Sequence, residues 1–222
     1  MGMMSDYIPR GIPDSLNILF LSPHTDDVEL GSGGTMVKLL EQKHNIMIVA
    51  LSMGELSSVK ESPNNSLKNE FISVMNDLGI ENFITFNFRL REFGYSRQDI
   101  LEELLKIKEK FYPDLVVGPS LNDFHQDHQT VASEMIRAFK TTSSIICYEM
   151  PWNHLSFNTQ LFVRLDKHHI ERKMDLLKHY KSQLELQRPY FSEEFIYGLA
   201  KTRGIQCNSE YAEAFEVLRW MM

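Results

Sequence analysis

Short apolar runs that stop abruptly alternate with segments of helical period, and this alternation limits the chain to few architectures. Asn17–Ser22 (NILFLS) ends in Pro23, Asn45–Leu51 (NIMIVAL) ends in a polar stretch, and Asp114–Gly118 (DLVVG) ends in Pro119. Each reads as a buried strand, and Phe83–Phe88 and Ser144–Tyr148 read as two more. Helical spacing appears from Gly33 onward (Met36, Val37, Leu39, Leu40), over Leu67–Leu78 with Gly79 as its cap, over Arg97–Lys110, and over Val131–Lys140. Ser52–Ser66, rich in Ser, Asn, Gly and Pro, reads as a loop. Beyond Pro151, Phe157–Arg164 reads as a strand, and Asp166–Tyr180 and Ser192–Lys201 as helices; Ala212–Trp220 fits either period. The expectation is an α/β fold, a Rossmann-like and mostly parallel sheet with helices on both faces. With no repeat or linker, residues 1–222 read as a single domain. Ligands of such sheets bind beyond the carboxyl ends of the strands.

The 222 residues carry a net charge of −7, with Lys and Arg scattered among acids as in His168–Lys173 and Arg188. These read as solvated surface and argue against a nucleic-acid partner. No apolar run reaches the roughly 20 residues of a membrane helix. Met1–Arg10 does not resemble a signal peptide. Two cysteines far apart in sequence, Cys147 and Cys207, suit a reducing compartment, so the expected location is cytoplasmic. Homo-oligomerisation is compatible with the sequence and not specified by it.

Two polar segments directly follow expected strands. In Pro23-His24-Thr25-Asp26-Asp27, an imidazole and a carboxylate three residues apart on a turn can grip one cation. Zinc takes imidazole nitrogen and carboxylate oxygen at about 2.0–2.2 Å. Asp26 then lies beside the cation, placed to take a proton from water whose pKa a metal has lowered to about 7. His125-Gln126-Asp127-His128 offers one further ligand and a second imidazole. That second ring can stabilise an oxyanion or protonate a leaving nitrogen, and Asp127 can orient it. Alone, an Asp-Asp pair is an ordinary helix cap and a His pair an ordinary surface feature. Together, each after a buried strand, they point to a metal site.

PHTDDVELGSGGT (Pro23–Thr35) resembles the first signature of the PIG-L/LmbE-like deacetylases, and HQDH (His125–His128) is similar to their second. RGIQCNSEYAEAFEVLR (Arg203–Arg219) resembles their closing segment. Thr25 and Gln126 stand where that family often has Pro. The resemblance implies His24, Asp27 and His128 as zinc ligands and Asp26 as general base. It implies His125 as the group that steadies the tetrahedral intermediate or acts as acid, with Asp127 orienting it. It also implies an N-acetylated amino sugar as substrate. A His/His/Asp site would accept Fe2+ or Co2+ as well as Zn2+. The rivals are hydrolysis of another acyl bond on the same site, and a non-catalytic nucleotide- or sugar-binding module.

Other residues complete the reading. Gly31–Thr35 can cradle a phosphate at a helix start, but close helix–sheet packing is the plainer role. Arg89, Arg91 and Trp152 follow expected strands, and Arg89 and Trp152 are candidate substrate contacts. Asn122 and Asp123 are placed to support the metal loop. His44, His154, His168, His169 and His179 are not expected to be ligands.

Overall fold

The structure, a computed structural model, describes residues 15–54 and 66–221. Most of the expected loop Ser52–Ser66, and the segment read as lacking a signal peptide, lie outside the described residues. In chain order the first half runs β1 (Asn17–Ser22), α1 (Asp27–Glu41), β2 (Asn45–Ala50), α2 (Ser66–Leu78), β3 (Phe83–Thr85), α3 (Arg97–Phe111) and β4 (Leu115–Gly118). The second runs α4 (Gln126–Phe139), β5 (Ser144–Tyr148), β6 (Leu161–Leu165), α5 (Lys167–Leu177), α6 (Lys181–Glu185), α7 (Glu193–Gln206) and β7 (Tyr211–Arg219).

The seven strands form one sheet in the order β3-β2-β1-β4-β5-β7-β6. The first five neighbours are parallel, and β7 runs antiparallel between β5 and β6. Alternation along β1 divides the core. Ile18 and Phe20 pack with Met36, Phe71 and Ile170 of α1, α2 and α5. Leu19 and Leu21 pack with Ile100, Leu104, Val131 and Met135 of α3 and α4. Helices therefore cover both faces, and the strands are apolar on both sides, as expected from the sequence. Among the described residues no helix is long and apolar enough to cross a membrane.

The chain winds outward from β1 through β2 to β3, and in the other direction from β4 to β5. The crevice at such a reversal is where an open α/β sheet binds ligands. Both motif segments emerge there, since β1 leads into Pro23–Asp27 and β4 into the loop before α4.

Several boundaries differ from expectation. Helix α1 begins at Asp27 rather than near Gly33, and α4 at Gln126 rather than Val131. Their first turns carry the polar motif residues, so apolar periodicity does not register them. Strand β3 stops at Thr85, although the Phe86 and Phe88 amides still donate to the Ala50 and Leu51 carbonyls. The ambiguous C-terminal segment is a strand, paired on both edges.

Helix α1 is kinked at Ser32, where φ is −148° and ψ 21°. The break frees groups that the neighbours satisfy. Glu213 of β7 accepts from the Gly34 amide at 3.1 Å and from the Thr35 amide at 2.7 Å. Lys173 of α5 donates to the Leu30 carbonyl and to Glu213, both at 2.7 Å. A carboxylate thus meets the start of the second half-helix and an ammonium the end of the first, each the favourable sign for that pole. The glycines permit the close approach. A Cβ at Gly31 would lie 2.5 Å from the buried Tyr148 ring, and one at Gly34 would lie 2.6 Å from Leu165. The amides that could have cradled a phosphate are therefore occupied by Glu213. Lys173 and His169, read as solvated surface, are buried.

Candidate metal centre

Three atoms define the site. His24 Nδ1 lies 3.1 Å from Asp27 Oδ2, His128 Nε2 lies 3.2 Å from that oxygen, and the two ring nitrogens are 3.3 Å apart. A tetrahedral ion with bonds of about 2.0–2.1 Å holds its ligand atoms about 3.3–3.4 Å from one another. The triangle has the size and the nitrogen–oxygen composition that zinc requires.

The remaining hydrogen bonds set the tautomers. His128 Nδ1 faces Asp123 Oδ2 at 2.7 Å and His24 Nε2 faces Asp127 Oδ2 at 3.2 Å. Each ring donates to a carboxylate on its far side and turns its other nitrogen to the triangle. Asp123 is fixed in turn by the His125 amide at 2.8 Å, and Asp127 by the Arg91 and Phe93 amides at 2.7 and 3.3 Å.

His125 also brings a ring nitrogen close to those of His24 and His128. Its Nδ1, however, accepts the Asp127 amide at 3.2 Å and so caps α4. The neutral ring then carries its proton on Nε2 and has no lone pair there for a cation. As a donor it is unsuited to hold a cation, whereas the Asp27 carboxylate faces both His24 and His128. Glu41, His168 and His169 also lie close together, and there too a backbone amide fixes one ring as a donor. His169 Nδ1 accepts the Asp166 amide at 2.9 Å, so its Nε2 donates to Glu41 at 3.1 Å.

The expected partnership of Asp127 with the His125 ring is not the one formed. The Asp127 carboxylate reaches His24, and only its backbone amide meets His125. The reason is local: Asp127 is in the first turn of α4, where its amide faces the cap and its side chain faces the loop at Arg91.

Charge in the cluster is strongly perturbed. Burial alone would lower the pKa of His24 and His128, but Asp27 above all outweighs it and raises them to about 9 and about 10. Asp27 is held well below the usual carboxylate range because these imidazoles overcome its burial. Asp26 is pushed up to about 6 by burial and by the adjacent Asp27 charge. A carboxylate near neutrality is suited to receiving and returning a proton. His125 falls to about 4 through burial and the repulsion of the other two rings.

Of the substrate candidates, Trp152 stacks on Tyr190 with centroids 4.2 Å apart and meets Phe195 edge-on. One of its faces is thus taken by protein. Arg89 Nη1 lies 3.5 Å from Glu92, half-exposed, on the loop whose backbone holds Asp127. Two residues escaped the sequence reading. Arg188, read as surface, donates to the Tyr190 hydroxyl at 2.7 Å and its charge is felt at Asp26. Glu29 is buried in α1 with neither oxygen hydrogen-bonded among the described residues, and burial raises its pKa to about 8. A charge between the apolar residues Val28 and Leu30 was the available signal for Glu29; Arg188 gave none.

A doubly wound sheet with two imidazoles and a carboxylate converging at its switch point, beside the Asp26 carboxylate, defines an α/β protein with a candidate metal-binding site. The sequence pattern of the GlcNAc-PI de-N-acetylases (PIG-L) matches residues 19–139, and the chain belongs to that deacetylase family. It is 27% identical over 175 residues to the uncharacterized deacetylase YaiS of Escherichia coli K12, covering 74% of this chain and 90% of that one. Its fold is similar to N,N'-diacetylchitobiose deacetylase from Pyrococcus horikoshii, with a TM-score of 0.74, 22% identity, and 90% and 83% of the two chains covered. It is also similar to the conserved protein TT1542 from Thermus thermophilus, with a TM-score of 0.76, 20% identity, and 93% and 96% covered.

Proposed function

We propose that this protein is a zinc-dependent, single-domain deacetylase that hydrolyses the N-acetyl group of an amino sugar or its conjugate, with His24, Asp27 and His128 holding the metal. The observation that carries the reading is the triangle of donor atoms at 3.1, 3.2 and 3.3 Å, with each imidazole backed by a carboxylate. Family membership supports the reaction, and a P. horikoshii protein of similar fold that acts on diacetylchitobiose supports a sugar substrate. Iron or cobalt would also suit this donor set. Two unpaired cysteines support a cytoplasmic location.

Bound zinc supplies Lewis acidity that polarises the amide carbonyl and acidifies water. Asp26, with its pKa near 6, takes the proton of the attacking water and returns it to the departing nitrogen. His125 points Nε2–H into the site as a donor to the oxyanion that develops on the carbonyl. Free amine and acetate leave. Arg89 and Trp152 are assigned to substrate contact.

The test measures metal by mass spectrometry in protein purified without added metal, and acetate release from an N-acetylglucosamine derivative. About one zinc per chain, with release lost and metal kept in Asp26→Ala, is the expected result. Protein that neither contains nor retains metal overturns the reading.

A further inference from the structure

We infer that His154 is a positioning residue for the metal ligand His128, acting through Asp123; this rests on the cation site proposed above. His154 sits on the loop after β5, and its side chain is only 3% exposed. Its Nδ1 accepts the Met150 amide at 3.4 Å, which places the ring proton on Nε2. That Nε2–H has no hydrogen-bond partner among the described residues. It faces Asp123 Oδ2 at 3.9 Å, which is too long for a hydrogen bond and too short to admit a bridging water.

The two loops are tied together at this point. Asp123 and His154 form an antiparallel bridge, and the Phe124 amide donates to the Asn153 carbonyl at 3.1 Å. Asp123 Oδ2 also receives the Asn153 side-chain amide at 3.4 Å, besides the His128 ring at 2.7 Å. A buried donor aimed at a carboxylate stabilises the charged form and holds it in place. A charged, fixed Asp123 strengthens its bond to His128 Nδ1–H and makes the opposite nitrogen a better ligand. The protonated Nε2, turned toward Asp123, also explains why this buried histidine is not a ligand itself.

Two substitutions separate the electrostatic role of the Nε2–H from packing, because the His154 ring also stacks on Phe157 at 5.0 Å. Phenylalanine keeps the stack and removes the donor, whereas glutamine keeps a donor at the Nε2 position and loses the stack. The readout is the zinc dissociation constant, measured by competition with a chromophoric chelator on the full chain; thermal unfolding of the metal-free variants checks that each is folded. Partners of metal-bound histidines change affinity by about 10–100-fold, and one layer further out about three- to tenfold is expected. His154→Phe should weaken zinc by that factor while His154→Gln stays near wild type. A Phe variant that binds like wild type, or a Gln variant as weak as the Phe variant, overturns the inference. Wild-type protein that binds no zinc would instead remove the site on which it rests.

Discussion

The carboxylate of Asp127 has two imidazoles within reach of its helix turn, His125 and His24, and the one it pairs with decides what its removal does. Its Oδ2 faces His24 Nε2 at 3.2 Å and takes the Arg91 amide at 2.7 Å, while His125 receives only the backbone. Asp127→Asn should therefore raise the zinc dissociation constant about 10–100-fold, as other carboxylate partners of metal-bound histidines do. Turnover at saturating zinc should change far less. The opposite split, normal affinity with lost turnover, would show that the carboxylate works on His125. At this scale the sequence showed which residue types gather, because their chemistry is legible from order and spacing. It did not show which carboxylate serves which ring. That is set by loops that meet only in space, where Arg91 and Phe93 steer Asp127, and Asn153 reaches Asp123. Arg188 was hidden for the same reason, since only the fold brings it to Tyr190 and Asp26.

Helix α1 presents the site from its first turn and depends on its kink for position. Glu213 and Lys173, both buried, satisfy the amides and the carbonyl that the break exposes. Glu213→Ala leaves the Lys173 charge buried without its partner and two amides without an acceptor. Removing one member of a buried pair costs about 3–5 kcal/mol, and that loss is expected in urea unfolding of the metal-free protein. A loss below about 1 kcal/mol, the range of an exposed pair, would show that the kink does not need this carboxylate. The strand ends were legible because Pro23 and Pro119 interrupt buried apolar runs. The helix starts were not, since Asp27 and Glu29 in α1 and Gln126–Thr130 in α4 interrupt the apolar period with polar residues. Ala212–Trp220 was ambiguous because alternation within it is broken. Only pairing with β5 and β6 on both edges, with Glu213 turned to α1, settles it as strand β7.

Over the whole molecule, the proposed metal site would set proton and cation in competition for one place. Without metal, the pKa values of His24 and His128, near 9 and 10, lie above the roughly 6.5 of an unfolded histidine, because Asp27 and the partner carboxylates overcome burial. The sign follows from this. The folded, metal-free protein holds these protons more tightly than the unfolded chain, so their stabilisation is full below about pH 6.5 and is lost as pH rises through 9 to 10. A zinc ion needs the same nitrogens unprotonated, so binding at neutral pH expels protons and strengthens as pH rises. The difference in melting temperature between zinc-loaded and chelator-treated protein should accordingly widen from about pH 6.5 to about pH 9 at fixed free zinc. Proton release measured by calorimetry in two buffers of unequal ionisation enthalpy should approach two per zinc near neutrality and shrink toward the alkaline end. A constant melting difference with no proton release would mean that zinc binds away from the two imidazoles, and the triangle at the β1–β4 crevice would then be an ion-paired knot rather than a ligand set.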